Sequence, residues 1–429
     1  MPQQIGVGLI GLGTVGAAVA TRLVDDWQLL GERAGAVPVL RRVAVRDPGR
    51  PRDVDLKNAT LDGDAGALVE DPRVDVVIEL MGGTDPATAL IEHALELGKT
   101  VVTANKAVIA PSGARLWDVA HRHGAGLWFE AAAGGGLPIV GVLRDSLLGD
   151  HVTGIDGIVN ATTNVILTRM RATGEPLSDA LALAQRIGVA EADPGSDLEG
   201  WDATYKLVIL SWLAFGARVD AAGVRRTGIT AVDVTDLGYA GQLGYAVKLV
   251  AHARLSPAGG SLEIGVAPAA VPDGHPLFDV DDIANAVIIS SDLQGSTTLR
   301  GTGGGGPSTA SAVVSDVVNA VRRRRCEPPP PPARDVPLAS DEESETAAYM
   351  RLETRQGSEA RPLIVQALED RGISVTDTVD KPPLDGPFPQ LLLLTAAAPR
   401  GVLARAVETL DSLPAVHAIR CVMDRLEPA

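Results

Sequence analysis

The sequence predicts an α/β protein: a Rossmann-type, doubly wound parallel sheet, then a second, α+β domain, then a small ferredoxin-like unit. Three observations predict it. A glycine loop, GLGTVG (11–16), directly follows a short apolar run. Apolar runs and amphipathic stretches then alternate through the first part of the chain. Residues 346–429 carry a β-α-β-β-α-β order of their own.

The elements follow in order. IGVGLI (5–10) reads as a short buried strand, and AAVATRLVDDW (17–27) has helical spacing of its apolar residues. VPVLRRVAV (37–45) and VDVVIELMGG (74–83) are the next strands. PATALIEHALELG (86–98) is an amphipathic helix with Gly98 as its stop signal, and TVVTAN (100–105) is a further strand. Such alternation predicts a parallel sheet with helices on its faces.

These elements place a dinucleotide-binding domain at 1–135 and a second domain at 136–300. Residues 301–325 hold a glycine cluster, GTGGGG, and a helix with a basic end that returns to the nucleotide domain. The Pro-rich and then acidic stretch 326–345 reads as a linker, partly polyproline II. The final unit alternates strand 347–354, helix 361–372, strands 373–380 and 389–397, helix 401–413 and strand 416–427.

Bulk composition excludes some functions. A net charge of −16 argues against nucleic acid or an anionic membrane as partner, because phosphate binding needs basic surface. The two cysteines, Cys326 and Cys421, make no disulfide framework and point to a reducing cytoplasm. No signal peptide opens the chain, and the longest apolar run, LVILSWLAFG, is well short of the roughly 20 residues that span a bilayer.

Gly11, Gly13 and Gly16 form G-x-G-x-x-G, enclosing Thr14 and Val15, between a strand and a helix. The first glycine permits the tight turn, the second lets a pyrophosphate reach the backbone, and the third lets helix pack on strand. The helix N-terminus offers amide donors and a positive dipole end. The second strand ends VAVRDP, so Arg46 and Asp47 compete for the cofactor ribose. An acidic residue there suits NAD, and an arginine suits the 2′-phosphate of NADP. Arg46, with Lys57 nearby in sequence, favours NADP and leaves NAD open; the plain alternative is solvated surface charge.

EADPGSDLEGWDATYKLVILSWLAFG (191–216) runs five carboxylates and one lysine into a strongly apolar helix. SDLE (196–199) matches a capping box, which predicts a helix from Asp197 to Gly216. Asp202 and Lys206 then stand four residues apart on one face. An exposed helix ion pair is the ordinary reading of that spacing. Here the residues after Lys206 are almost all apolar, and a charged pair at the mouth of a buried helix needs partners. A nicotinamide enzyme leaves an alkoxide when it delivers hydride to a carbonyl, and an ammonium can stabilise and protonate it. None of the seven histidines lies in this segment or in TANKAV, so lysine is the candidate acid. Lys106 stands just past a strand end, where open α/β sheets bind their ligands.

In combination, GLIGLGTVG, DVVIELMGG, TANKAV, EAAAGGGLPIV, GIVNATTN, EADPGSDLEGWDATYK, LGYAVKLVA and GTGGGGPSTASAVVSD resemble homoserine dehydrogenase over nearly the whole chain. The last unit resembles an ACT domain, a small-ligand sensor. The resemblance implies NAD(P)-dependent interconversion of L-aspartate 4-semialdehyde and L-homoserine, in threonine, methionine and isoleucine biosynthesis. It implies Lys206 as proton donor, Lys106 as second catalytic lysine, and Glu191, Asp202 and Asp197 toward the substrate. Lys106, Gly188 and Gly305 would lie against the cofactor. A monovalent cation such as sodium would bind through backbone oxygens around Glu130, Ala133, Gly135 and Leu137. The second domain, 136–300, takes its substrate and oligomerisation role only from this family resemblance. A homodimer or homotetramer, and an amino-acid effector at the ACT-like unit, complete what is implied. The chain departs from the family pattern at Ala133, Ala161, Val189 and Ser308, and RQGS (355–358) replaces the usual turn of the ACT-like unit.

Two rivals differ in their residues. An acyl-phosphate type semialdehyde dehydrogenase needs a cysteine nucleophile in the catalytic domain, and neither cysteine lies there. A non-catalytic sensing paralogue would keep the glycine cradle but has no need of both lysines with Glu191 and Asp202.

Overall fold

The structure, a computed structural model, describes residues 3–256, 260–323, 332–355, 357–384 and 386–427. The first sheet holds β1 (Gln4–Ile10), β2 (Val37–Ala44), β3 (Thr60–Asp62), β4 (Val76–Glu79), β5 (Thr100–Thr103) and β6 (Leu127–Trp128). All are parallel, in the order β3-β2-β1-β4-β5-β6. The order reverses between β1 and β4, which opens a crevice at their carboxyl ends. Helices α1 (Thr14–Asp25), α2 (Trp27–Ala34), α3 (Ala65–Glu70), α4 (Ala87–Glu96) and α5 (Lys106–Arg122) connect the strands. Their apolar stripes bury Val19, Leu23, Ile91, Leu95, Ile109 and Leu116 against the sheet. The helix Gly306–Arg323 packs on α1 and α2.

The second sheet is mixed. Strands Gly295–Thr302, Ala284–Ser291, Val152–Ile158, Tyr245–Leu255 and Leu262–Pro272 run side by side and antiparallel. Helices Ala161–Thr173 and Trp201–Phe215 pack against it through Ile166, Leu167, Leu207 and Leu210. The final elements follow β-α-β-β-α-β: Glu345–Thr354, Ala360–Glu369, Val375–Lys381, Gln390–Thr395, Arg400–Ser412 and Val416–Arg425. Their four strands are mutually antiparallel, with the first and third in the middle. The last strand also pairs in parallel with Leu262–Pro272, so the two sheets are continuous.

Two sequence expectations need correction. The helix expected from Asp197 is broken: Gly195–Leu198 is a separate turn, and Gly200, in the left-handed region at φ +84°, starts Trp201–Phe215. The Leu198 carbonyl, which would continue the helix, instead accepts from the Ile229 amide at 2.8 Å. No side-chain capping bond forms at 194–200. The acidic half of the supposed linker is also ordered: Arg334–Asp335 pairs with Ala217–Arg218, and Leu338 bridges to Leu262. The Pro-rich run 326–331 lies outside the described residues, as does Cys326. Among the described residues no helix is long and apolar enough to cross a membrane.

Candidate active site

The glycine loop closes the carboxyl end of β1. Gly11 has φ +96°, and a Cβ there would meet the Leu80 carbonyl oxygen at 2.5 Å. A Cβ on Gly16 would lie 2.2 Å from the Gly11 oxygen, so both positions require glycine for packing. Gly13 differs: a Cβ there meets nothing within 4 Å, and its free side is where a pyrophosphate would approach. The α1 N-terminus has no side-chain cap, which leaves the first-turn amides of Thr14, Val15 and Gly16 for an anion. This cradle fits a dinucleotide. The second glycine cluster leans on it, since a Cβ on Gly306 would be 2.8 Å from Thr14 Cγ2. Gly305 takes φ +101° and Gly188 takes φ +75°, both with open space on the Cβ side. Arg46 is exposed just past the end of β2. Lys57 is tied to Asp55 in a short exposed ion pair.

Lys106 opens α5, directly after the turn that ends β5. Asp202 and Lys206 occupy the first two turns of Trp201–Phe215. The fold brings the three together. Asp202 Oδ1 lies 3.0 Å from Lys106 Nζ, and Asp202 Oδ2 lies 2.9 Å from Lys206 Nζ. Lys206 Nζ also donates to the Val159 carbonyl at 2.7 Å. Asp202 and Lys206 are buried, whereas 37% of the Lys106 side chain remains open. Burial alone would push the Asp202 carboxyl up, but the two ammonium groups hold it well below the usual carboxylate range. The same carboxylate raises Lys106 against the effect of burial, and Asp197 and Glu191 add to that field. Asp197 is half-buried and Glu191 exposed, on the loop before the helix.

Some residues of the site escape the sequence reading. Asn160 Nδ2 donates to Asp197 Oδ1 at 2.7 Å and to Asp202 Oδ2 at 2.8 Å. Glu79 is buried at the end of β4, where it accepts from the Met81 amide at 2.8 Å and the Thr103 hydroxyl at 2.7 Å. Thr103 Oγ1 in turn accepts from the Asn105 amide, and Asn105 Nδ2 donates to the Gly83 carbonyl. This chain fixes the loop beside Lys106. A carboxylate in the otherwise apolar VVIEL is the signal that could have found Glu79, and Asn before a helical run could have found Asn160.

Glu130, Ala133, Gly135 and Leu137 lie on and after the short helix Glu130–Gly134. Both carboxylate oxygens of Glu130 accept backbone amides, from Val140 at 2.8 Å and Gly141 at 2.7 Å, and its own amide donates to Asp316 Oδ2. Gly135, at φ +60°, leaves space for the Gly303 carbonyl, which a Cβ would meet at 2.5 Å. Ala133 and Leu137 are buried. Among the described residues no group of three or more His, Cys, Asp or Glu could hold a metal ion. Cys421 is no nucleophile: burial pushes its thiol up to about 12, so it stays protonated at neutral pH.

Comparison with known proteins agrees with this geometry. Residues 11–130 match the family model "Homoserine dehydrogenase, NAD binding domain", and residues 138–318 match the model "Homoserine dehydrogenase". The chain is 36% identical to homoserine dehydrogenase of Corynebacterium glutamicum over 99% of its own length and 96% of that protein's. A crystal structure of a homoserine dehydrogenase from Thiobacillus denitrificans superposes with a TM-score of 0.91 at 33% identity, covering 100% of both chains. A hyperthermophilic archaeal homoserine dehydrogenase mutant, in complex with NADPH, has a TM-score of 0.62 at 29% identity, covering 76% of this chain and 100% of its own. With a dinucleotide cradle after β1 and two lysines sharing one carboxylate, the chain belongs to the homoserine dehydrogenase family and is an NAD(P)-dependent oxidoreductase acting on CH–OH.

Proposed function

We propose that Lys206 is the proton donor in the reduction of L-aspartate 4-semialdehyde to L-homoserine, and that Lys106 assists it. The observation that carries this is the shared Asp202 carboxylate, within 3.0 Å of both ammonium groups. A bound NAD(P)H supplies the hydride. The lysines do the rest. Two N–H bonds of Lys206 are taken by Val159 and Asp202, which leaves the third for the substrate's carbonyl oxygen. As that oxygen becomes an alkoxide, the proton moves from Nζ to it, and water restores the lysine. Lys106, more open, stabilises the same developing charge. Asp202 serves both lysines as counter-ion, and Glu191 and Asp202 bind the substrate with Asp197 close by. The intact set of lysines and carboxylates opposes the sensing-paralogue reading.

The finer assignments rest on sequence and resemblance. NADP is the preferred cofactor through Arg46, with the NADPH-bound archaeal relative as support for this cofactor class. Lys57 is the weaker part of that pocket, because Asp55 already engages it. Gly188 and Gly305, with open faces, would lie against the cofactor. Residues 1–135 with 301–325 serve the nucleotide, 136–300 the substrate and assembly into a dimer or tetramer, and 346–429 an amino-acid effector as an ACT-like domain. The strand order of that last unit supports this reading. A monovalent cation at the backbone of Glu130, Ala133, Gly135 and Leu137, and a cytoplasmic location, complete the proposal.

Lys206→Met tests it. The variant keeps the stem and loses the ammonium. Its kcat in NADPH-dependent reduction of the semialdehyde is expected to fall by roughly two to four orders of magnitude with the fold intact. Near-normal turnover would give the proton to another group.

A further inference from the structure

We infer that Asn160 is a positioning residue for this reaction, clamping Asp197 and Asp202 together so that the ammonium of Lys206 is held in place; the inference rests on Lys206 being the donor. One carboxamide nitrogen spends its two N–H bonds on two different carboxylates, Asp197 at 2.7 Å and Asp202 at 2.8 Å. Asn160 is the group that donates hydrogen bonds to both carboxylates. Lys106 and Lys206 approach Asp202, while Asp197 and Glu191 are themselves acidic. The carboxamide cannot turn over, because its oxygen accepts from the Thr163 amide and the Thr163 hydroxyl, each at 2.8 Å, as the N-cap of Ala161–Thr173. The cap therefore fixes which end faces the acids. Asn160 is buried, so its bond to Asp202 is made away from water, while the bond to Asp197 is partly open. Its neighbour Val159 supplies the carbonyl that receives Lys206. One short turn thus holds the donor lysine twice, directly through Val159 and through Asn160 and Asp202.

Aspartate is nearly isosteric and caps helices equally well, yet it would aim an oxygen at two carboxylates. Asn160→Asp therefore removes the clamp and keeps the cap. When protonated, the new carboxyl regains one donor; when ionised, it repels both Asp197 and Asp202, in a group that also holds Glu191, Lys106 and Lys206. The repulsion favours its protonated form, so falling pH should restore part of the clamp.

The experiment compares the parent, Asn160→Asp, Asn160→Ser and Lys206→Met, by kcat and KM across pH and by melting temperature. Asn160→Asp is expected to lose roughly ten- to a hundredfold in kcat near pH 8, with a melting temperature lowered there by the buried charge and recovering at lower pH. That deficit should shrink as pH falls. Asn160→Ser, which caps without charge, should show a deficit that does not change with pH. If both variants stay within about twofold of the parent while Lys206→Met is inactive, the clamp is wrong and the donor stands. A deficit in Asn160→Asp that is constant with pH and follows a loss of melting temperature would reduce Asn160 to a helix cap. Normal turnover by Lys206→Met would remove the donor assignment itself.

Discussion

At the scale of single residues, the chemistry was legible where charge met apolar sequence. Asp202 and Lys206 stand four apart before an apolar run, and that contrast marks them without any structure. Their third partner was harder to see. Lys106 lies far away in the chain and is half-buried with no acidic neighbour in sequence, so only its place after a strand pointed to it. Asn160 was hidden by its second role, because an Asn before a helix is explained well enough as a cap. Arg46 and Lys57 show the limit from the other side. Both are basic and exposed, Arg46 just past β2 and Lys57 just before β3, but Lys57 is paired with Asp55 and also feels Asp25 at the far end of α1 from the glycine loop, whereas among the described residues no hydrogen bond or ion pair involves Arg46. The two should therefore differ. Arg46→Ala is expected to raise KM for NADPH about tenfold and leave NADH nearly unchanged, as loss of a charged hydrogen bond to a 2′-phosphate should. Lys57→Ala should do little. Steady-state rates with each cofactor decide it, and an equal effect of Arg46→Ala on both would take Arg46 out of the phosphate pocket.

At the scale of elements, strands β1, β2, β4 and β5 and helices α1 and α4 were readable because each carries its own period. The short β3 and β6 carry too few residues to show one, and α2 follows α1 after a single residue. The helix beginning at Trp201 failed for a different reason. SDLE is a sound local signal, but Ile229 takes the Leu198 carbonyl and a close approach of Gly228 to residues 198–199 leaves no room to continue. A tertiary contact overrode a local preference, and the resulting break at Gly200 lets the Asp202 carboxylate sit in a first turn, where the helix dipole favours it. The glycine loop shows that one motif can hold two kinds of glycine. Gly16→Ala would drive a Cβ to 2.2 Å from the Gly11 oxygen and should destabilise the fold. Gly13→Ala meets no protein atom, so the melting temperature should hold while NADPH binding weakens markedly. Thermal unfolding with and without NADPH separates them. A Gly13→Ala protein that binds NADPH normally would place the pyrophosphate elsewhere.

At the scale of the whole molecule, little of the joint between the last unit and the rest could be read from sequence, because its partners are distant in the chain and share no pattern. Asp236, in the first turn of helix Val234–Gln242, is buried and meets the buried Arg351 on strand Glu345–Thr354 through two hydrogen bonds, at 2.7 and 2.8 Å. The Tyr349 hydroxyl also donates to it, at 3.1 Å. Helix Val234–Gln242 packs in turn on Ala161–Thr173, the helix that Asn160 caps. The direct strand pairing across this joint is brief, confined to Ala269 with Asp424 and Ala270 with Arg425. Such a short ladder adds little on its own, so the ion pair, the apolar contacts around Tyr349, Leu392 and Met423, and exposed or part-buried contacts such as Arg425 with Tyr245 and Arg400 with Glu263 hold the unit. Removing one partner of a buried pair leaves a stranded charge and costs about 3–5 kcal/mol, whereas replacing both with apolar groups costs far less. Arg351→Met should therefore split thermal unfolding into two transitions, the earlier one belonging to residues 345–427, and Arg351→Met with Asp236→Leu should recover much of the loss. Calorimetry with limited proteolysis reads both results. A single unshifted transition in Arg351→Met would mean that the strand ladder and apolar packing hold the joint without the ion pair.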